Sequence, residues 1–298
     1  MNKELRAGLL LLLTAAIWGF AMAAQRDGVQ FVPPFIFNGI RYVLGTLALL
    51  PLTIRENKGT KNLFTKDDVK KGVLVGLVLF TAAILQQFGL IGADAGKAGF
   101  LTALYVVLVP VLGILFKRKT RLTTWLALAM ALPALYLLCV KPGQKFVLEG
   151  ADALLLIGAV FWALHILVTD RYVAGMSALK LCTIQFFVTA VLNLICALFT
   201  ETVTLANLWR GAWAIAYCGL FSTAVAYTLQ TIGQKDCRPA YAAVILSLES
   251  VFAAISGALL LGERMTVQGY IGCVIMFLAV LLAQVGALLP ARKEKTHV

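Results

Sequence analysis

Ten apolar runs follow one another along the chain with only short polar joints between them. They cover residues 7–24, 33–53, 72–92, 98–116, 122–140, 151–168, 179–200, 209–230, 239–261 and 266–288. About 20 apolar residues cross a bilayer as an α-helix, and inside lipid a helix satisfies its own backbone polar groups. The pattern therefore predicts an all-α membrane protein with ten transmembrane helices. Composition agrees: 61% of the 298 residues are hydrophobic and only 13% charged, too few charges to coat a soluble body of this size. Pro33-Pro34 and Pro239 stand at helix starts, where a missing N–H costs little. Pro110 and Pro133 fall inside the fourth and fifth runs and predict kinks or local unwinding there.

A net charge of +12 would suggest nucleic acid in a soluble protein. Here the basic residues sit in the joints, and no basic, aromatic-interleaved segment supports nucleic-acid binding. With the N-terminus inside, 19 Lys and Arg fall on the inner side and 6 on the outer, with Arg41 alone within the membrane. This bias predicts a multi-pass protein of the inner (plasma) membrane with both termini cytoplasmic. The basic joint 54–71 is suited to lie on anionic lipid headgroups. Met1-Asn2-Lys3-Glu4-Leu5-Arg6, an apolar run and Ala21-Met22-Ala23 together resemble a cleavable signal peptide, but the repeat below argues that the segment is retained. The six cysteines form no CxxC pair, and His165 and His297 offer no clustered ligands, so neither a metal nor another cofactor is expected.

Shifting the chain by 144 residues matches Ala15 to Ala159, Trp18 to Trp162, and Leu85-Gln86-x-x-Gly89 to Leu229-Gln230-x-x-Gly233. Ala98, Leu104, Gly113 and Leu115 match Ala242, Leu248, Gly257 and Leu259. The offset divides the chain into repeats 1–144 and 145–298, each with five apolar runs. Five is odd, so the second repeat enters the membrane from the opposite face. Two inverted five-helix repeats place a substrate site near the midplane at their interface. The first run's counterpart is internal, so it is read as a helix of the fold.

Several motifs occur in order along these repeats: Ile17-Trp18-Gly19, Asn38-Gly39-Ile40-Arg41-Tyr42, Ala95-Gly96-Lys97-Ala98-Gly99-Phe100-Leu101-Thr102, and Tyr241 through Glu263, ending Leu259-Leu260-Leu261-Gly262-Glu263-Arg264. In these the chain resembles the drug/metabolite transporter superfamily, in its EamA-type branch. It departs from the family pattern at Ser250, where proline is common. It departs again at Phe116-Lys117-Arg118-Lys119, where the first repeat lacks an acid. The resemblance implies a non-enzymatic secondary transporter that exports or exchanges small metabolites by alternating access, without an ATP-binding part.

Two charges lie deep in apolar runs, Arg41 and Glu249. Each costs at least ~2.5–3.5 kcal/mol to insert, and each is unique to one repeat, since the offset pairs them with Gln185 and Tyr105. Arg41 is suited to an anionic group of the substrate or to a resting-state pair with Glu249; Glu249 to a structural pair, a coupling proton or direct substrate contact. Trp18 and Trp162, with Tyr42, Tyr105, Phe161 and Tyr227, would supply an aromatic lining for amphipathic or aromatic solutes. Gln86 and Gln230 either bond neighbouring helices or line the path. His165 is read as a hydrogen-bonded structural residue or a titrating member of the path. An uncoupled facilitator and a lipid-linked carrier flippase stand as alternatives. No HExxH, intramembrane acid pair or Ser/His/Asp set points to an enzyme.

Overall fold

The computed structural model describes residues 3–59, 62–92, 95–115, 117, 120–140, 143, 150–260 and 266–288. The Lys97 side chain, the Gly262-Glu263-Arg264 motif and the C-terminal basic residues lie outside the described residues. Every regular element among those described is helical. In chain order they are α1 (Lys3–Gly28), α2 (Pro34–Glu56), α3 (Lys66–Gly92), α4 (Ala95–Ala103), α5 (Tyr105–Leu115), α6 (Leu122–Cys139), α7 (Gly150–Val173) and α8 (Ala178–Thr200). Two short helices, α9 (Leu205–Arg210) and α10 (Ala212–Tyr217), lead into a π-helical stretch (Cys218–Ala226). Then come α11 (Tyr227–Lys235), α12 (Pro239–Leu246), α13 (Glu249–Leu260) and α14 (Val267–Leu288).

The ends of these helices follow from local chemistry. Pro34 opens α2, where its lack of an N–H is harmless. Thr65 and Asp68 exchange side-chain bonds to each other's backbone N–H at 3.1 and 3.0 Å, a capping box that starts α3. Ser177 caps α8 by accepting from the Leu179 N–H at 3.2 Å.

Among the described residues, seven helical stretches are long and apolar enough to cross a membrane: Lys3–Gly28, Pro34–Glu56, Lys66–Ile91, Gly150–Val173, Ala178–Thr200, Ala212–Lys235 and Pro239–Leu259. Shorter apolar helices cover Gly99–Leu115, Leu122–Leu138 and Val267–Ala283. The molecule is polar inside and oily outside. Leu198 and Phe199 are 82% and 84% exposed, while Asn38, Gln87, His165, Gln185 and Asn193 are fully buried. A surface of that kind needs lipid as its solvent.

The fourth and ninth runs differ from the expected single helices. The fourth is interrupted at Leu104 and the ninth at Ser247-Leu248, and the 144 offset maps Leu104 onto Leu248. Pro110 and Pro133 lie within α5 and α6, and neither ends its helix. A proline removes one N–H and crowds one turn upstream, whereas the first break lies six residues ahead of Pro110. At these breaks the chain tightens into shorter turns: the Leu104 N–H reaches the Leu101 carbonyl, and Leu248 reaches Ile245, at 3.3 and 3.1 Å.

The packing partners are cross-repeat. α2 packs on α8, and α6 on α14, so helices related by the offset pair with each other. α3 packs on α7, as the π stretch and α11 pack on α1. α1 crosses α13 so closely that a Cβ on Gly19 would lie 2.3 Å from the Phe252 Cβ. The Ser256 hydroxyl donates to the Gly19 carbonyl at 3.1 Å across the same seam. Only glycine permits this approach.

Candidate functional site

A cavity opens where the cross-repeat helices meet. Of the residues expected from sequence, Trp18, Arg41, Gln86, Tyr105, Trp162, Tyr227, Gln230 and Glu249 line it, and Phe161 does not. Tyr42 and His165 stand directly behind its wall.

Arg41 is 3% exposed. Its Nη1 donates to Gln25 Oε1 at 2.9 Å and its Nη2 to the Tyr42 hydroxyl at 3.4 Å. The guanidinium carbon lies 4.8 Å from the Tyr42 ring centre and 5.9 Å from that of Phe37, within cation–π range. The Nε has no partner. Two amphoteric neighbours and two ring faces hold the fork in place without neutralising it. Among the described residues no carboxylate lies within ion-pair distance of Arg41.

Glu249 is the first residue of α13, beside the mid-run break, and faces the cavity. The N-terminus of a helix carries partial positive charge and free N–H groups, so a carboxylate is favourably placed there. Tyr105 occupies the matching position at the start of α5. Its hydroxyl is buried and without a partner. The two breaks thus deliver one acid and one phenol to a common wall.

The aromatic side is built around Tyr227. Its ring meets Trp18 edge-on at 4.7 Å, lies nearly parallel to Trp162 at 6.4 Å, and meets Phe186 edge-on at 5.6 Å. The Tyr227 and Tyr42 hydroxyls are 3.5 Å apart, linking this wall to Arg41. Trp18 is fixed by donating its indole N–H to the Ser222 carbonyl at 3.1 Å. Ser222 sits in the π-helical stretch, whose widened turn frees carbonyls that a regular helix would occupy. Thr14 uses the same supply, donating to the Ala226 carbonyl at 3.2 Å.

His165 is fully buried, with Nε2 2.9 Å from Gln185 Oε1 and its ring edge-on to Trp162 and Tyr227. It braces the aromatic wall from behind. Gln86 lines the cavity and reaches only the Met22 sulfur, at 3.9 Å. Gln230 also lines it, with an unpartnered Oε1. Sequence reading did not single out Gln25, Thr102, Ser222 or Leu246. Gln25 had a signal, since it falls seven residues after Trp18 on the same helical face. Ser222 had none, because its role depends on the π turn.

Similarity to known proteins accords with this arrangement. The EamA-like transporter family model matches residues 5–140 and again 150–284. An uncharacterized transporter of Archaeoglobus fulgidus is 30% identical over 281 residues, covering 94% of this chain and 86% of the relative. The uncharacterized inner membrane transporter YedA of Escherichia coli K12 is 26% identical over 285 residues, covering 93% and 90%. A solved crystal structure superposes with a TM-score of 0.81 at 17% identity, covering 94% of this chain and 97% of that one; at that identity it supports the fold alone. With the family model matching twice and covering nearly the whole length, the chain belongs to the EamA-like transporter family.

Proposed function

We propose that the chain is a secondary transporter that exports small zwitterionic organic solutes, amino-acid-like and with an apolar or aromatic body, by alternating access. The reading takes the seven long and three shorter apolar stretches as ten membrane spans in two inverted repeats, 1–144 and 145–298, with both termini cytoplasmic. The matched cross-repeat packing and the offset pair of helix breaks support that division.

One observation carries the proposal: an unneutralised guanidinium and an unpaired carboxylate share one aromatic-walled cavity. Among the described residues, neither Arg41 nor Glu249 has an ion-pair partner. Burying such charges is costly unless a partner arrives. A solute with both a carboxylate and an ammonium group supplies both partners at once, the carboxylate to the Arg41 fork and the ammonium to Glu249. The resting-state lock through a direct Arg41–Glu249 pair is not formed in this structure. Trp18, Tyr227 and Trp162 would receive the solute's side chain.

The test is counterflow in proteoliposomes with a panel of amino acids, the matching carboxylic acids without the amine, and the matching amines without the acid. Only the zwitterions should be carried by the native protein. Arg41→Ala should lose them, and Glu249→Gln should lose them or their dependence on a pH gradient. Unchanged flux and pH dependence in both variants would remove the two charges from the mechanism. Flux that ignores the gradient in the native protein would make it a facilitator.

A further inference from the structure

A second, smaller cavity lies against the first, with Thr102, Tyr105 and Glu249 in both linings. These three residues form a partition with a face toward each space. Beyond it the second cavity is bounded by Met22 on α1, Gly99 on α4, and Ser250 and Ala253 on α13. Small residues leave it open, and among the described residues Glu249 is its one charged lining group. Tyr105, 6% exposed as a residue and with its hydroxyl buried and unpartnered, belongs to the same partition. So three polar side chains, one of them acidic, serve two spaces at once.

The direction follows from the helices. Met22 lies past Trp18 toward the end of α1, and Ser250 and Ala253 run past Glu249 along α13. Gly99 lies toward the start of α4. The second cavity therefore leads toward the face at which α1 ends and α4 begins, which the loop charges assign to the outside.

We propose that this second cavity is the release pocket for the cationic end of the solute. Glu249 holds an organic ammonium group while that group passes from the main cavity, beside Thr102 and Tyr105, toward the outer face. A carboxylate on the partition lets the ammonium keep its counter-charge during passage. It need never stand bare in an apolar space, a state that would be prohibitively costly. The proposal rests on the zwitterion reading above, but its test does not require transport.

The test uses the full-length protein in right-side-out and inside-out membrane vesicles, with Ala253→Cys and, separately, Ser250→Cys. The probes are a membrane-impermeant trimethylammonium thiosulfonate and a neutral thiosulfonate of similar size. Rates are taken over those of the parent, which carries the native cysteines. From the outside, the cationic probe should modify the new cysteine about fivefold faster than the neutral one, as one unscreened charge a few ångströms away would produce. Adding Glu249→Gln should abolish that preference. Two results would overturn the pocket, provided the variants melt with the parent: equal rates for both probes, or modification from the cytoplasmic side only. Ser250→Cys gives the same reading if Ala253→Cys does not fold. Modification as expected together with failed zwitterion counterflow would keep the pocket and reject the transported class.

Discussion

Arg41 is held by neutral groups rather than in an ion pair, as the anion-binding role proposed for it requires. Gln25 accepts one of its N–H groups and Tyr42 another, which leaves the positive charge for an incoming anion. Replacing Gln25 by Glu would put a permanent carboxylate on the same Nη1. The resulting bidentate-capable pair is strong and self-satisfied, so a solute carboxylate would have to displace it. Gln25→Glu should therefore retain or raise the thermal midpoint while lowering zwitterion counterflow by at least ~10-fold. A variant that transports normally would show that Arg41 does not bind the solute. Arg41→Lys tests geometry rather than charge. An ammonium cannot reproduce the planar fork between Gln25 and Tyr42, so the apparent affinity should weaken by about 10-fold, roughly one charge-assisted bond, with expression unchanged. Both charged residues were legible in the sequence as expensive exceptions in apolar runs. Whether they met was not, because 208 residues separate them and the answer depends on how α2 and α13 sit around the cavity. Their failure to pair, on which the proposed function rests, is a tertiary fact.

The helix breaks and helix ends carry information that the apolar pattern hides. Hydropathy alone reads 98–116 and 239–261 as single spans, because a broken helix keeps its composition. Proline pointed to the wrong place in the first repeat. The repeat offset contained the answer, since it aligns Leu104 with Leu248 and so makes the breaks one feature used twice. The π stretch had no such signal: its counterpart, 74–82, lies in the regular helix α3. A second paired feature braces α2 against α8. Beyond the end of α8, Glu201 accepts from the Phe35 and Ile36 N–H groups at 3.0 and 2.8 Å, capping α2. At the opposite end, Glu56 in the last turn of α2 accepts from the hydroxyl of Ser177, the cap of α8. Each helix thus ends on an acid that serves the start of the other, where the partial charge is positive. A carboxylate at its own helix C-terminus is unfavourable, so these acids are better explained by their partner helices. Glu201→Ala strips two first-turn N–H groups of their acceptor and should lower stability by about 1–2 kcal/mol. A thermal-shift measurement in detergent checks this. Glu201→Gln, which keeps an acceptor but loses the charge, should fall between it and the native protein. An unchanged midpoint in Glu201→Ala would mean that the cap adds nothing to the α2–α8 unit.

For the whole molecule, the two repeats interlock so fully that neither half makes a complete interior. The pairs α2–α8, α6–α14 and α3–α7 all cross the boundary between repeats. The polar residues they cover belong to both halves: His165 bonds Gln185 within the second, but Trp18 is anchored to Ser222, and Thr53 to Thr183 at 2.8 Å, across the division. A single repeat would present those buried polar groups to lipid, where each unsatisfied one costs several kcal/mol. The two-fold pattern was legible from the offset. The interlocking was not, because a repeat in sequence does not say whether its copies sit side by side or embrace. It leads to a prediction about the chain cut between 144 and 145, in the stretch between the two family matches. Expressed alone, residues 1–144 or 145–298 should insert yet be degraded, whereas the two expressed together should co-purify and restore counterflow. If either half alone accumulates as a monodisperse species with native-like melting, the embrace is not what stabilises the fold. If the halves accumulate together without counterflow, the uncut 140–150 connection is needed to align Arg41 on one repeat with Glu249 on the other.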